Sequence, residues 1–104
     1  MDIRWTPKPE AAERLETDLA RLCKAAGHPA RVRILRELLA RESATCGRLA
    51  SALPLAQSTV SQHLKVLREA ALVDAEAQGS QRAYRANRET LGRFRNLMAG
   101  MIGL

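Results

Sequence analysis

Aromatic residues are scarce in this chain: Trp5, Tyr84 and Phe94 are the only three among 104 residues. Without rings in series there is no platform on which unstacked bases could sit, as single-strand and RNA binders require. Cysteine is nearly as rare, with Cys23 and Cys46 alone. A chain of this length buries roughly 65% of its unfolded surface, so it needs no staples, and both cysteines are expected as reduced thiols. Long apolar runs are missing too. The uncharged stretch from Asn96 to Leu104 falls far short of the about 20 residues that span a bilayer, so no membrane partner is expected. The opening Met1-Asp2-Ile3-Arg4-Trp5 lacks the basic start, apolar run and cleavage site of a secretory signal, which predicts a cytoplasmic location. Nor is there a Ser/His/Asp arrangement, a carboxylate pair, a phosphate-cradling glycine loop or a nucleotide fingerprint, so no catalysis is expected.

What the chain has is arginine. Of its 17 basic residues 14 are Arg, and against 11 acidic residues they leave a net charge of +6. Residues 1 to 42 hold 9 basic and 7 acidic side chains, net +2, while residues 43 to 104 hold 8 and 4, net +4. The later part is therefore the one suited to a polyanion. With no stacking platform, duplex DNA is the better match.

Apolar spacing places the elements. Leu15, Leu19, Leu22 and Ala26 make one stripe over a helix at 10–26, which Gly27 ends. After His28-Pro29, residues Val32, Leu35, Leu38 and Leu39 give a second helix to about Ala40. A short third helix runs from about Thr45 to Leu53, stopped by Pro54. A fourth, Ser58 to Ala70, carries Val60, Leu64, Leu67 and Ala71 on one face and Ser58, Ser61, Gln62, Lys65 and Arg68 on the other. Residues 72–77 and 82–86 bracket Gln78-Gly79-Ser80-Gln81 as a hairpin. The last helix, 88–104, has Leu91, Phe94, Leu97, Met98, Met101 and Ile102 at helical spacing, a stripe too rich to leave bare. Residues 1–9, with Pro7 and Pro9, are expected as a flexible arm, and residues 10–104 as one domain. The fold class is thus mainly α, about five helices with a small β-hairpin.

Two short helices joined by a tight turn, the second apolar behind and polar in front, have the build of a helix-turn-helix, and the basic hairpin adds a wing. The first helix props the second so that its polar face enters the major groove, which admits one helix. Ser58, Ser61 and Gln62 suit base edges or phosphates, and Lys65, Arg68, Arg82 and Arg85 suit phosphates. Gln57, Thr59 and His63 complete the candidate set. The bland alternative is a solvated helix surface with Ser58 as its N-cap, and a second is a winged helix that docks another protein through its last helix. His28 suits a cap, and His63 packing or a phosphate contact.

Ala26-Gly27-His28-Pro29-Ala30-Arg31-Val32-Arg33-Ile34-Leu35 and the run Gln57-Ser58-Thr59-Val60-Ser61-Gln62-His63-Leu64 resemble the arsenic- and metal-responsive ArsR/SmtB family of winged-helix repressors. The resemblance covers about residues 12 to 100. Arg82-Ala83-Tyr84 matches the family's second wing strand loosely, and Ala71 stands where such proteins often place Gly. The resemblance implies a homodimer joined through its first and last helices, which represses from an inverted-repeat operator until an inducer releases it. Family metal sites use Cys-x-Cys at the third helix or Asp, His and Glu on the last. Here the last helix has Glu89 as its only carboxylate and no His, and the third helix has Cys46 with Ala44 at the other position, so no metal site is assigned. Cys46 is the better candidate sensor and Cys23 the only other thiol. Three readings stand: an arsenite or antimonite site built from both thiols, a redox or persulfide switch, or a repressor with no small-molecule inducer. A helix N-terminus lowers a thiol pKa, which favours a reactive Cys46, while Cys23 beside Leu22 is expected as a small buried hydrophobe.

Overall fold

A computed structural model describes residues 9–103; the expected arm, apart from Pro9, lies outside them. Helix α1 (Pro9–Ala26) begins with Glu10 in its first turn and has Lys24 in its last, both favoured by the helix dipole. It stops at Gly27 for a steric reason. A Cβ there would stand 2.8 Å from the Cys23 carbonyl oxygen, so the chain turns where only glycine fits. Helix α2 (Pro29–Ala40) follows at once: His28 is its N-cap, its Nδ1 accepting from the Ala30 amide at 3.0 Å, and Pro29 occupies the first turn.

α2 buries Ile34, Leu35 and Leu38. Val32 and Leu39, assigned by spacing to the apolar face, are exposed. The reason is position: α2 packs on α4 and β3, and only the stripe through Ile34 and Leu38 points there. A two-residue strand β1 (Ala44–Thr45) leads into α3 (Cys46–Ala52), where Thr45 is the N-cap, its hydroxyl accepting from the Arg48 amide at 3.2 Å. Helix α4 (Gln57–Glu69) buries Val60, Leu64 and Leu67. It ends with Ala71 at φ +61°, a left-handed backbone that costs a residue with a Cβ about 1–2 kcal/mol. The substitution of Ala for Gly thus leaves the turn in place but strained.

Strands β2 (Val73–Gln78) and β3 (Gln81–Ala86) form the hairpin, with Gly79 at φ +63° opening its two-residue turn. β3 is central in the sheet order β1-β3-β2, pairing Tyr84 with Ala44 on one side and with Ala75 on the other. β1 was not foreseen, because two residues carry no periodicity. Helix α5 (Arg88–Ile102) is capped by Asn87, whose side chain accepts from the Thr90 amide at 3.0 Å, and closes at Gly103 with φ +82°.

The core lies between α2, α3, α4 and the sheet, with Leu22 and Ala25 of α1 buried against it. Ile34, Leu38, Leu49, Val60, Leu64, Leu67, Leu72 and Val73 are fully buried. α5 contributes no buried residue: Leu91, Phe94 and Leu97 lie half-buried against the core, and Met98, Met101 and Ile102 are 37%, 55% and 61% exposed. α5 packs on α1, where Arg93 is hydrogen-bonded to Asp18, and the two helices leave an apolar groove lined by Leu15, Leu19, Leu97 and Met101. The molecule is elongated, 51 × 24 × 21 Å with a radius of gyration of 15.9 Å, against about 13 Å for a compact chain of this length.

Candidate nucleic-acid interface

α3 and α4 pack against each other across a tight turn, closed by a hydrogen bond from the Leu55 amide to the Ala50 carbonyl at 3.1 Å. With Val60, Leu64 and Leu67 turned inward, helical geometry puts Gln57, Ser58, Ser61, Gln62, Lys65 and Arg68 outward, and all six are exposed. Ser58 is not the cap. α4 starts after Ala56, which offers no side-chain acceptor, so the Ser58 hydroxyl is uncommitted to capping and the first amides of α4 stay open to an anion.

Thr59 and His63 are half-buried on the flank of α4. His63 faces the α1–α2 junction: its Nδ1 accepts from Arg31 Nε at 3.2 Å, and its ring lies 4.6 Å from that of His28. Arg31 also donates to the Ala25 and Lys24 carbonyls at 3.1 and 3.4 Å. One guanidinium therefore ties the end of α1, the start of α2 and the middle of α4 together. Burial, then the neighbouring His28 and Arg31 charges, hold the His63 pKa below its ordinary value. This is a joint between elements, and the spacing of apolar residues gave no sign of Arg31's part in it.

The hairpin divides its two candidate arginines. Arg82 lies beside the starts of α3 and α4. Arg85 looks away, toward Leu38, Arg41 and Asp74, and makes an exposed ion pair with Glu76 at 3.0 Å. Arg48, absent from the candidate set, is exposed near the start of α3 on the same side as Arg82; a short helix with one capping Thr gave little reason to single it out.

The thiols depart from expectation. Cys23 is exposed rather than buried, and Cys46 is half-buried. Burial raises the Cys46 pKa above its ordinary value, opposite to the effect expected of a helix start, because the half-buried thiolate loses hydration. Its Sγ donates to the Gln57 carbonyl at 3.4 Å. Cys23 is not among the residues around it. Among the described residues, no group of three or more His, Cys, Asp or Glu side chains is placed to hold a metal ion, and no helix is long and apolar enough to cross a membrane.

A supported polar helix with a hairpin beside it defines a winged helix-turn-helix, the architecture of DNA-binding transcription regulators. Residues 26–76 match a helix-turn-helix domain family. The chain is 39% identical over 94 residues to the biofilm growth-associated repressor of Agrobacterium fabrum, covering 90% of this chain and 79% of that protein. It is also similar to the crystal structure of a possible transcriptional regulator for arsenical resistance, at 35% identity and TM-score 0.69, over 77% of this chain and 81% of that one. An ArsR-like transcriptional regulator from Rhodococcus superimposes at TM-score 0.75 with 27% identity, over 85% and 81% of the two chains. The chain belongs to the ArsR/SmtB-type winged helix-turn-helix transcriptional regulators.

Proposed function

We propose that this chain is a sequence-specific repressor that binds an inverted-repeat duplex as a homodimer. The observation that carries this reading is the exposed face of α4, six polar or basic side chains opposite a fully buried stripe. Similarity to a protein named as a repressor supports the same conclusion. The homodimer is supported by the uncovered apolar groove between α1 and α5, which a second copy would bury.

Release by a thiol-reactive inducer is assigned to Cys46, and an oxidant that modifies one thiol suits it; an arsenite or antimonite site needs further thiolates, and Cys23 is not beside Cys46. Its hydrogen bond to Gln57 links the first residue of α3 to the first residue of α4, so a group added to sulfur pushes on the start of the recognition helix. Cys23, exposed on α1, is not required by this route.

Selection from a random duplex pool at physiological salt tests the reading. The expected result is an inverted repeat with half-sites about one helical turn apart, with Gln62→Ala losing about 1–3 kcal/mol of base discrimination. A folded protein that enriches nothing overturns it in favour of a protein-docking winged helix. On the selected site, inducer response is expected to vanish in Cys46→Ser and persist in Cys23→Ser.

A further inference from the structure

α1 borders the uncovered apolar groove with α5, and α4 carries the exposed polar face. Leu22 and Ala25 of α1 share one core with Leu64 and Leu67 of α4. Apolar packing has no direction, and by itself it favours a helix crossing angle only to within about 15–20°. A dimer that meets through α1 and reads through α4 needs more than that. Its two copies of α4 must reach major grooves about 34 Å apart, so the angle between α1 and α4 decides whether both fit.

The Arg31 guanidinium supplies the missing direction. It donates from Nη1 to the Ala25 and Lys24 carbonyls at the end of α1, and from Nε to His63 Nδ1 on α4 at 3.2 Å. Both side chains belong to half-buried residues. For Nδ1 to accept, neutral His63 carries its hydrogen on Nε2, so a second proton has only Nδ1 to occupy. The acceptor then becomes a donor aimed at a guanidinium, and two cations face each other. The His28 ring stands 4.6 Å away, with its own Nδ1 engaged by the Ala30 amide. From α1 the nearest charges are Lys24 and Arg21, which with Arg31 and Glu69 line a cleft beside the joint. α3 and β2 also pack on α4, and among the described residues they set no charge against His63. Nor is Arg31 or His63 ion-paired to a carboxylate among those residues.

We propose that Arg31, acting through His63, is the positioning residue that sets the recognition helix α4 relative to α1, so that discrimination between duplex sequences is lost when His63 takes up a proton. The proposal rests on the reading of the chain as a DNA-binding homodimer, and it adds a residue outside the polar face of α4 and a response to acid. It also separates two roles for His63. A phosphate contact is strengthened by the same proton that breaks the joint, so the two roles predict opposite responses to pH.

The test measures the affinity of the full chain for its selected inverted repeat and for a scrambled duplex of equal length. Both are read at about pH 7.5 and about pH 5.5, on either side of histidine titration, at fixed salt and with circular dichroism to establish the fold. The ratio of the two affinities is expected to fall about tenfold in acid, the worth of one hydrogen bond to a charged group. Arg31→Lys keeps the charge but cannot fork to three acceptors, and is expected to show that loss already at neutral pH. In His63→Gln, whose amide oxygen accepts from Arg31 but binds no proton, the ratio is expected not to vary with pH. A wild-type ratio that holds or rises in acid overturns the joint, while the DNA-binding reading stands. A pH dependence that survives in His63→Gln moves the proton to His28 and overturns the role of His63. Arg31→Lys with the wild-type ratio overturns the role of Arg31. A folded wild-type protein that distinguishes no duplex at either pH overturns the reading on which the proposal rests.

Discussion

In the half of the molecule built from α2, α3, α4 and the sheet, Ile34, Leu38, Leu49, Leu64 and Leu67 are sealed by their own chain, whereas along α5 no residue is buried. Both halves are comparably apolar in sequence. The first closes on itself because α4, α3 and β3 approach α2 from different directions, so one stripe on each element meets the others. The second is two helices side by side, and two cylinders cover only the line along which they touch. A sealed core, completed by Leu22 and Ala25 of α1, thus goes with the helix-turn-helix half, and an uncovered apolar face with the other.

Leu64→Ala is expected to have the largest effect. At 1% exposure, truncation leaves a cavity in the self-sealed half, and about 2–5 kcal/mol of stability is expected to be lost in denaturant unfolding. The same experiment on Ile102→Asp is expected to leave unfolding of the single chain nearly unchanged, since this side chain is 61% exposed. Its effect falls on assembly. In sedimentation, Ile102→Asp is expected to cost about 2–3 kcal/mol of association per carboxylate brought into the interface, and a dimer of undiminished affinity would show that the α5 face is not where the copies meet.

Ala71→Gly is expected to act in the opposite direction, since it relieves strain at the end of α4. Relief of the left-handed penalty, set against glycine's greater freedom when unfolded, leaves an expected gain of about 0.5–1 kcal/mol, read as a higher melting temperature.

The smallest effect concerns the joint between the halves. His63 is held below its ordinary pKa of 6.5, so the unfolded chain takes up its proton at higher pH than the folded one. The contribution to stability is complete above about pH 6.5, is lost as pH falls from there through the lowered folded value, and then levels off. His63→Gln, whose amide oxygen can still accept from Arg31, is expected to flatten this dependence relative to wild type without loss of stability at neutral pH.

Much of this was legible in the residues. Gly27, His28-Pro29 and Gln78-Gly79-Ser80-Gln81 placed breaks within a residue or two, because each imposes local backbone geometry that no tertiary context needs to supply. The polar face of α4 followed from its period. Other assignments failed for a common reason. Val32, Leu39 and Cys23 take their expected burial from the apolar stripe they sit on or beside, while their exposure is decided by which neighbours arrive from elsewhere in the chain. Arg85 is a candidate phosphate contact by its place in the basic hairpin, and the register that sets Asp74 opposite it also brings Glu76 within reach.

Amphipathic helices, their stops, the hairpin after the fourth and the gathering of positive charge in the later part follow from the order of residues alone, since period, backbone restriction and charge are properties of adjacent residues. That Arg82 and Arg48 share a cleft, that Arg31 joins three helices through His63, and that α5 lies uncovered emerge with the packed fold. Those are relations between residues far apart in the chain, and close packing fixes them only when all the elements are in place.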